Sequence, residues 1–178
     1  MKLKFLYALD KVLGKLGLLI LSMLPKKTRK VSQTFSNLLV IKFLGNGSLI
    51  LAAPSLYAIK QKYPNIKLIL YTTKSLQQQV DVLNIFDEII LLEPLKIIQS
   101  IFQIIQLKKR FTLERTFIVN LEAFSYISNF IAAFIRGIYV ISLCQFEYKR
   151  VFDKSIVINS LTNISMAEQY DKIAEVLD

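Results

Sequence analysis

Short apolar segments alternate with longer segments of helical periodicity along most of this 178-residue chain. The apolar segments are typical of β-strands buried on both faces, as in a parallel sheet. The predicted strands cover 37–44, 66–72, 88–92, 116–121 and 138–143, and the helices cover 49–63, 75–83, 94–109, 124–136 and 165–177. This alternation predicts an α/β fold, in which a Rossmann-like parallel sheet carries helices on both faces.

Local signals predict where several of these helices begin and end. Ser48 and Ser75 have side chains that commonly cap helix N-termini. Pro94 suits the first position of the third helix, because its missing N–H would have no partner there anyway. Gly137 is predicted to end the fourth helix, since glycine readily adopts a left-handed conformation.

Charge and residue usage exclude several classes of function. Residues 1–30 hold eight basic residues and one acid, for +7, out of a total net charge of +10. A nucleic-acid-binding surface is therefore not expected on the folded domain. The chain has no histidine, so it cannot form a Ser-His-Asp triad or a histidine-ligated metal site. Its single cysteine excludes a disulfide framework and favours the cytoplasm.

The first thirty residues read as a basic amphipathic helix, 2–24, followed by a tether. Lysines lie on one stripe and leucines cover much of the rest. The longest uncharged stretch, 16–25, is ten residues, whereas a bilayer span needs about 20. We therefore expect residues 1–30 to bind an anionic membrane surface, on the inner face of the bacterial inner membrane. The alternatives are a helix packed on its own or another domain, and a true span or signal.

A glycine turn, residues 45–48, follows the first predicted strand. Ligands of parallel sheets bind beyond the carboxyl ends of the strands, where a helix N-terminus favours anions. Glu122 ends the fourth strand, so the turn and this acid are predicted to share one edge of the sheet. Other interpretations are that Ser48 only caps its helix and that Glu122 only complements a helix dipole. The turn lacks the third glycine of a dinucleotide-binding loop, which argues against an NAD or ATP site.

Two segments resemble glycosyltransferase family 9, the lipopolysaccharide heptosyltransferases. The first segment, 41–64, has the family's pattern of a strand, a glycine turn and a helix. The residues that match this pattern are Lys42, Gly47, Pro54, Leu56, Lys60, Tyr63 and Pro64. In 120–137 Glu122, Phe124 and Ser128 match, whereas Asn120 replaces an acid. The resemblance covers about 37–178 and implies the acceptor-side, N-terminal half of a two-domain GT-B fold.

The resemblance also implies site residues. Ser48 occupies the position of the family's Gly-Asp carboxylate, which is thought to act as general base on the acceptor hydroxyl. Serine cannot accept a proton usefully near neutral pH, so Glu122 becomes the candidate for that role. The other predicted acceptor-binding residues are Lys42, Gly45, Asn46, Gly47, Ser125, Lys149 and Arg150.

We therefore expect residues 37–178 to form part of a heptosyltransferase-like enzyme. It would move a sugar from a nucleotide-sugar to lipopolysaccharide or another lipid-linked saccharide, with no metal or cofactor. The donor-binding domain is expected to be absent, so that the chain is either a truncated product or one half of an enzyme whose other half is a separate chain. The alternative is a non-catalytic membrane-surface binding or scaffold domain derived from such an enzyme.

Overall fold

A computed structural model describes residues 7–8, 10–24, 35–145, 151–158 and 165–176. Six parallel strands form one sheet in the order β3-β2-β1-β4-β5-β6. The strands are β1 (Asn37–Ile41), β2 (Lys67–Thr73), β3 (Glu88–Leu92), β4 (Thr116–Asn120), β5 (Tyr139–Cys144) and β6 (Lys154–Val157). The predicted α/β, Rossmann-like fold class is confirmed.

The described helices surround this sheet. They are α1 (Lys15–Met23, preceded by a π-helical turn, Asp10–Gly14), α2 (Asn46–Lys62), α3 (Gln77–Leu83), α4 (Ile97–Leu113), α5 (Tyr126–Ile135) and α6 (Met166–Val176). Alternate residues of β1 point to opposite faces of the sheet. Leu38 and Val40 belong to the core beneath α2, α3 and α6, whereas Leu39 and Ile41 belong to the core beneath α1, α4 and α5. Because both cores are apolar, β1 is buried along its whole length.

Three predicted helix boundaries are wrong, and each has a local reason. Ser75 does not cap α3: its hydroxyl contacts that of Thr73, and a 3-10 turn precedes the helix. Pro94 lies in a turn before α4, which begins at Ile97. Arg136, rather than Gly137, takes the left-handed conformation that ends α5. Strand β6 was not predicted at all.

The N-terminal helix packs on the domain through one face. Leu18 is buried against α5, and Gly14 and Gly17 let the two helices approach closely: a Cβ at Gly14 would lie 2.6 Å from the backbone nitrogen of Ile127. The packed-helix alternative therefore describes this face. No helix in the described ranges is long and apolar enough to cross a bilayer. The predicted start of this helix, residues 2–6, and the basic tether, 25–34, lie outside those ranges.

Candidate site at the β1–β4 switch point

The candidate site lies at the carboxyl edge of the sheet, where the strand order reverses. Strands β1 and β4 are parallel neighbours, and Ile41 lies opposite Asn120 in their register. The segments that follow them, residues 42–48 and 121–125, therefore leave the sheet side by side. This is the edge at which α/β proteins of this topology bind ligands. The glycine turn and Glu122 do lie together on it.

Glu122 fastens the two segments to each other. Its Oε1 atom accepts hydrogen bonds from Lys42 Nζ at 3.0 Å and from the backbone nitrogens of Phe43 and Leu44 at 2.9 and 2.6 Å. The residue is 6% exposed. The interpretation of Glu122 as an acid that only complements a helix dipole is wrong, because α5 has no acid in its first turn. All of these bonds go to Oε1, and Oε2 makes no hydrogen bond to the described residues.

The glycine turn leaves the start of α2 open. Gly45 precedes α2 with φ of 84°, a conformation that favours glycine, and no side chain in the described structure caps the helix. The predicted capping role of Ser48 is wrong, since Ser48 lies within the first turn and donates to the Gly45 carbonyl at 2.7 Å. Asn46 and Gly47 are exposed. The free N–H groups of this turn are suited to a polar or anionic ligand.

Tyr170, on α6, completes the site and was missed in the sequence. Its side chain is fully buried, and its hydroxyl makes no hydrogen bond of good geometry to the described residues. Burial raises the pKa of this hydroxyl; the neighbouring Ser48 hydroxyl lowers it and the Glu122 carboxylate raises it further. Tyr170 therefore lies next to Ser48, and Glu122 is near enough to act on it electrostatically. No signal distinguishes it in sequence from an ordinary core aromatic. We call residues 45–48, Glu122 and Tyr170 the switch-point site.

Two polar residues near the site serve the backbone. Asn120, which replaces an acid of the family pattern, accepts from the Glu122 nitrogen and donates to Ser142 at 2.9 Å. Ser125 caps α5 by accepting from Ser128 N at 3.1 Å. Its hydroxyl also donates to Asp10 at 2.7 Å. Both side chains thus shape the segment after β4.

The remaining predicted site residues differ in where they lie. Lys42 is buried and paired with Glu122, so its charge is directed at the acid. Lys149 and Arg150 lie outside the described residues. Within the described ranges, no group of three or more Cys, Asp or Glu could hold a metal ion.

No family profile and no curated protein matches this sequence. Solved structures do share its fold. They include a glycosyl transferase family 9 protein from Veillonella parvula, with a TM-score of 0.66 and 17% identity over 85% of this chain. The E. coli heptosyltransferase WaaC also matches, with ADP-2-deoxy-2-fluoro heptose (TM-score 0.57, 11% identity) and with ADP (0.60, 10%), each over 79% of this chain.

The fold is that of a family 9 glycosyltransferase. The resemblance predicted from the two sequence segments is thereby confirmed for the fold. At these identities the likeness concerns the fold and not the chemistry. The chain spans less than half the length of the glycosyltransferases it matches, 43% of the first and 47% of WaaC.

Proposed function

We propose that this chain is the acceptor-side part of a sugar transferase. It would bind a lipid-linked saccharide, such as a lipopolysaccharide precursor, and present one hydroxyl to a nucleotide-sugar held by a second domain or a separate chain. The observation that carries this proposal is the switch-point site. It combines an open helix start, a buried carboxylate and a buried tyrosine hydroxyl with no hydrogen bond of good geometry to the described residues, in a glycosyltransferase fold.

The site offers suitable chemistry for orienting a sugar. A hydroxyl that attacks an anomeric carbon must give up its proton, and Glu122 is the carboxylate that lies at the β1–β4 switch point. Lys42 and two backbone amides hold Oε1, which leaves Oε2 to accept a hydrogen bond from the acceptor hydroxyl. The amides at 46–48 and the Tyr170 hydroxyl would bind neighbouring sugar oxygens or a phosphate. Nothing in this arrangement requires a metal or cofactor.

Location at a membrane is part of the same proposal. The helix α1 and the basic residues that follow it in sequence would hold the domain at the anionic inner face of the bacterial inner membrane, where a lipid-linked acceptor resides. Catalysis depends on holding donor and acceptor in register. Turnover is therefore expected only with the donor-binding part present.

Acceptor binding can be tested by amide chemical shifts. We expect a deacylated lipopolysaccharide core saccharide to shift the amide signals of residues 45–48 and 122 in the uniformly labelled protein. Tyr170→Phe should weaken binding about three- to tenfold, since it removes one hydrogen bond. Tyr57→Phe is the matched control, because its exposed hydroxyl only contacts the Leu83 carbonyl. Unchanged amide signals at residues 45–48 and 122 would rule out this site.

One observation favours the alternative of a non-catalytic binding domain. Ser48 stands where the family motif has a carboxylate, and it is bonded to the turn itself. A Ser48→Asp variant supplied with a donor domain separates the two functions. Turnover by the unmodified chain supports the transferase, and its loss in Glu122→Gln supports a catalytic Glu122 where circular dichroism shows that the variant is still folded. Turnover seen only after Ser48→Asp supports a domain that has lost catalysis.

A further inference from the structure

Helix α4 exposes an apolar stripe that the described residues leave uncovered. The exposed side chains are Ile97, Ile98, Ile101, Phe102 and Ile105, which are 47, 73, 53, 64 and 39% accessible. They recur at helical spacing and occupy the first half of α4, whereas Leu107 and Phe111 of the second half are buried in the core. An apolar patch of this kind marks a surface that binds something.

Helix α1 exposes a second stripe in the same layer. Its exposed apolar residues are Leu16, Leu19, Ile20 and Met23, and Val12 and Leu13 of the preceding π-helical turn extend the stripe. Both α1 and α4 pack against α5, which lies between them and is itself largely buried. The two helices also run in the same direction: α1 begins beside the first residues of α5, and α4 follows the carboxyl end of β3. Their exposed stripes therefore belong to one side of the molecule.

The charged side chains on the helices of this layer are basic. Helices α1, α4 and α5 contain no acidic residue. The acid of the preceding turn, Asp10, is engaged in capping α5. Lys11, Lys15 and Lys109 are exposed beside the stripes. The opposite layer differs, because α3 and α6 carry Asp81, Glu168, Asp171 and Glu175. The nearest acid before α4, Glu93, is paired with Lys96 at 2.8 Å. An apolar surface whose own helices carry only basic charges complements anionic lipid.

We infer that α1 and α4 together form one lipid-facing surface, and that the α4 stripe inserts into an anionic bilayer alongside α1. This inference rests on the membrane location proposed above and extends it to a helix far from the N-terminus in sequence. The α4 stripe lies near the carboxyl edge of the sheet, since α4 begins there. Docking through both helices would bring the switch-point site close to the lipid headgroups.

Vesicle flotation tests this surface without any sugar or donor. We expect the full chain to bind vesicles containing phosphatidylglycerol and to bind pure phosphatidylcholine weakly. Replacing Ile98 and Phe102 together by serine should lower the partition coefficient at least about tenfold, as should the pair Leu16→Ser and Ile20→Ser. The matched control is Ile50→Ser with Val82→Ser, two exposed apolar residues on the opposite layer. It should bind within about twofold of the unmodified chain.

Three outcomes would overturn the inference. Unchanged binding by the Ile98 and Phe102 variant would confine the surface to α1. Loss of binding by the control pair as well would show that the contact has no preferred face. Self-association of the lipid-free chain that this variant abolishes would assign the α4 stripe to a second copy. Acceptor titration in vesicle-free solution stays independent of all three, so failure here is distinguishable from failure of the sugar-binding proposal.

Discussion

The two edges of the sheet hold their charged side chains in opposite ways. At the carboxyl edge Lys42 and Glu122 pair at 3.0 Å with side chains only 4 and 8% exposed. At the amino edge Arg110 donates two hydrogen bonds to Glu88 at 2.6 and 2.8 Å, and these side chains are 31 and 25% exposed. One pair is sealed inside the domain, and the other remains in contact with water.

This difference indicates what each edge is for. Burying an ion pair costs desolvation that its attraction often fails to recover, so such a pair is a poor means of stabilisation. Its amide bonds instead fix the conformation of the glycine turn at the switch-point site. The amino-edge pair has no turn to shape, and it joins β3 to α4 where no ligand edge exists. We interpret the first as a positioning device and the second as ordinary surface stabilisation.

The largest effect should come from breaking the buried pair. Glu122→Gln leaves the Lys42 ammonium buried without a counter-charge, and Lys42→Met leaves the carboxylate with amide donors alone. Each should lower the free energy of unfolding by about 3–5 kcal/mol, measured by denaturant titration. The double variant should lose less unfolding free energy than the two single variants lose together, because the two side chains interact directly.

The amino edge supplies the control for that experiment. Lys67 pairs with Glu88 at 2.7 Å while 45% exposed. Lys67→Met should therefore cost less than about 1 kcal/mol. Equal losses at Lys42 and Lys67 would remove the distinction between the two edges.

A smaller effect is expected from the glycines of each edge. Gly137, at the amino edge, approaches β4 so closely that a Cβ would lie 2.1 Å from the Thr116 carbonyl oxygen. Gly137→Ala should cost about 1–3 kcal/mol or more, because backbone must shift. Gly47→Ala, whose Cβ would meet nothing within 4 Å, should instead stabilise α2 by roughly 0.5–1 kcal/mol. Thermal unfolding measures both changes, and destabilisation by Gly47→Ala would indicate an unseen constraint in the turn.

The cap of α5 should rank third. Asp10 accepts hydrogen bonds from Ser125 Oγ, Tyr126 N and Ile127 N at 2.7, 3.1 and 2.9 Å. Asp10→Ala should cost about 1–2 kcal/mol and speed hydrogen exchange at the Tyr126 and Ile127 amides. Asp81→Ala, on the exposed face of α3, should change neither. Unaltered exchange in Asp10→Ala would mean that α1 does not order the segment after β4.

Much of the fold was predictable because its strands are buried on both faces. Apolar runs such as 116–121 identify their strands without help from distant residues. Strand β6 was missed because it is short and half-exposed, and its Lys154–Val157 segment has only one buried residue.

The switch-point site was predictable only in outline. Alternation of strands and helices predicts a parallel sheet, in which all strands end at the same edge, so residues 45–48 and Glu122 were expected on that edge. The partners of Glu122 were not, because a carboxylate near a helix start usually serves that helix. The acid that does serve α5 is Asp10, 115 positions before Ser125 in sequence. Tyr170 reaches the site only through the packing of α6 on α2, which no local pattern reveals.

The smallest expected effect is the stability that the Glu88–Arg110 pair at the amino edge loses at acid pH. The pKa of Glu88 is lowered from its ordinary value of 4.5 to about 2. The hydrogen bond from Arg110 is the largest cause, and Lys67 also contributes, whereas partial burial raises the pKa. A pKa lowered by folding means that the ionised form stabilises the native state above pH 4.5. That contribution is lost as pH falls from 4.5 towards 2.

Glu88→Gln should therefore flatten the fall in unfolding free energy across this window. Solvent screening limits the difference to about 1 kcal/mol. Urea titrations at pH 5 and pH 3 measure it. Because carboxylates that share no partner with Glu88 are unchanged between the two proteins, the difference between the two slopes reports on Glu88 and on Glu114, which shares Arg110 with it. Parallel slopes would show that the amino-edge pair contributes nothing, and the contrast with the sealed pair at the other edge would then be sharper still.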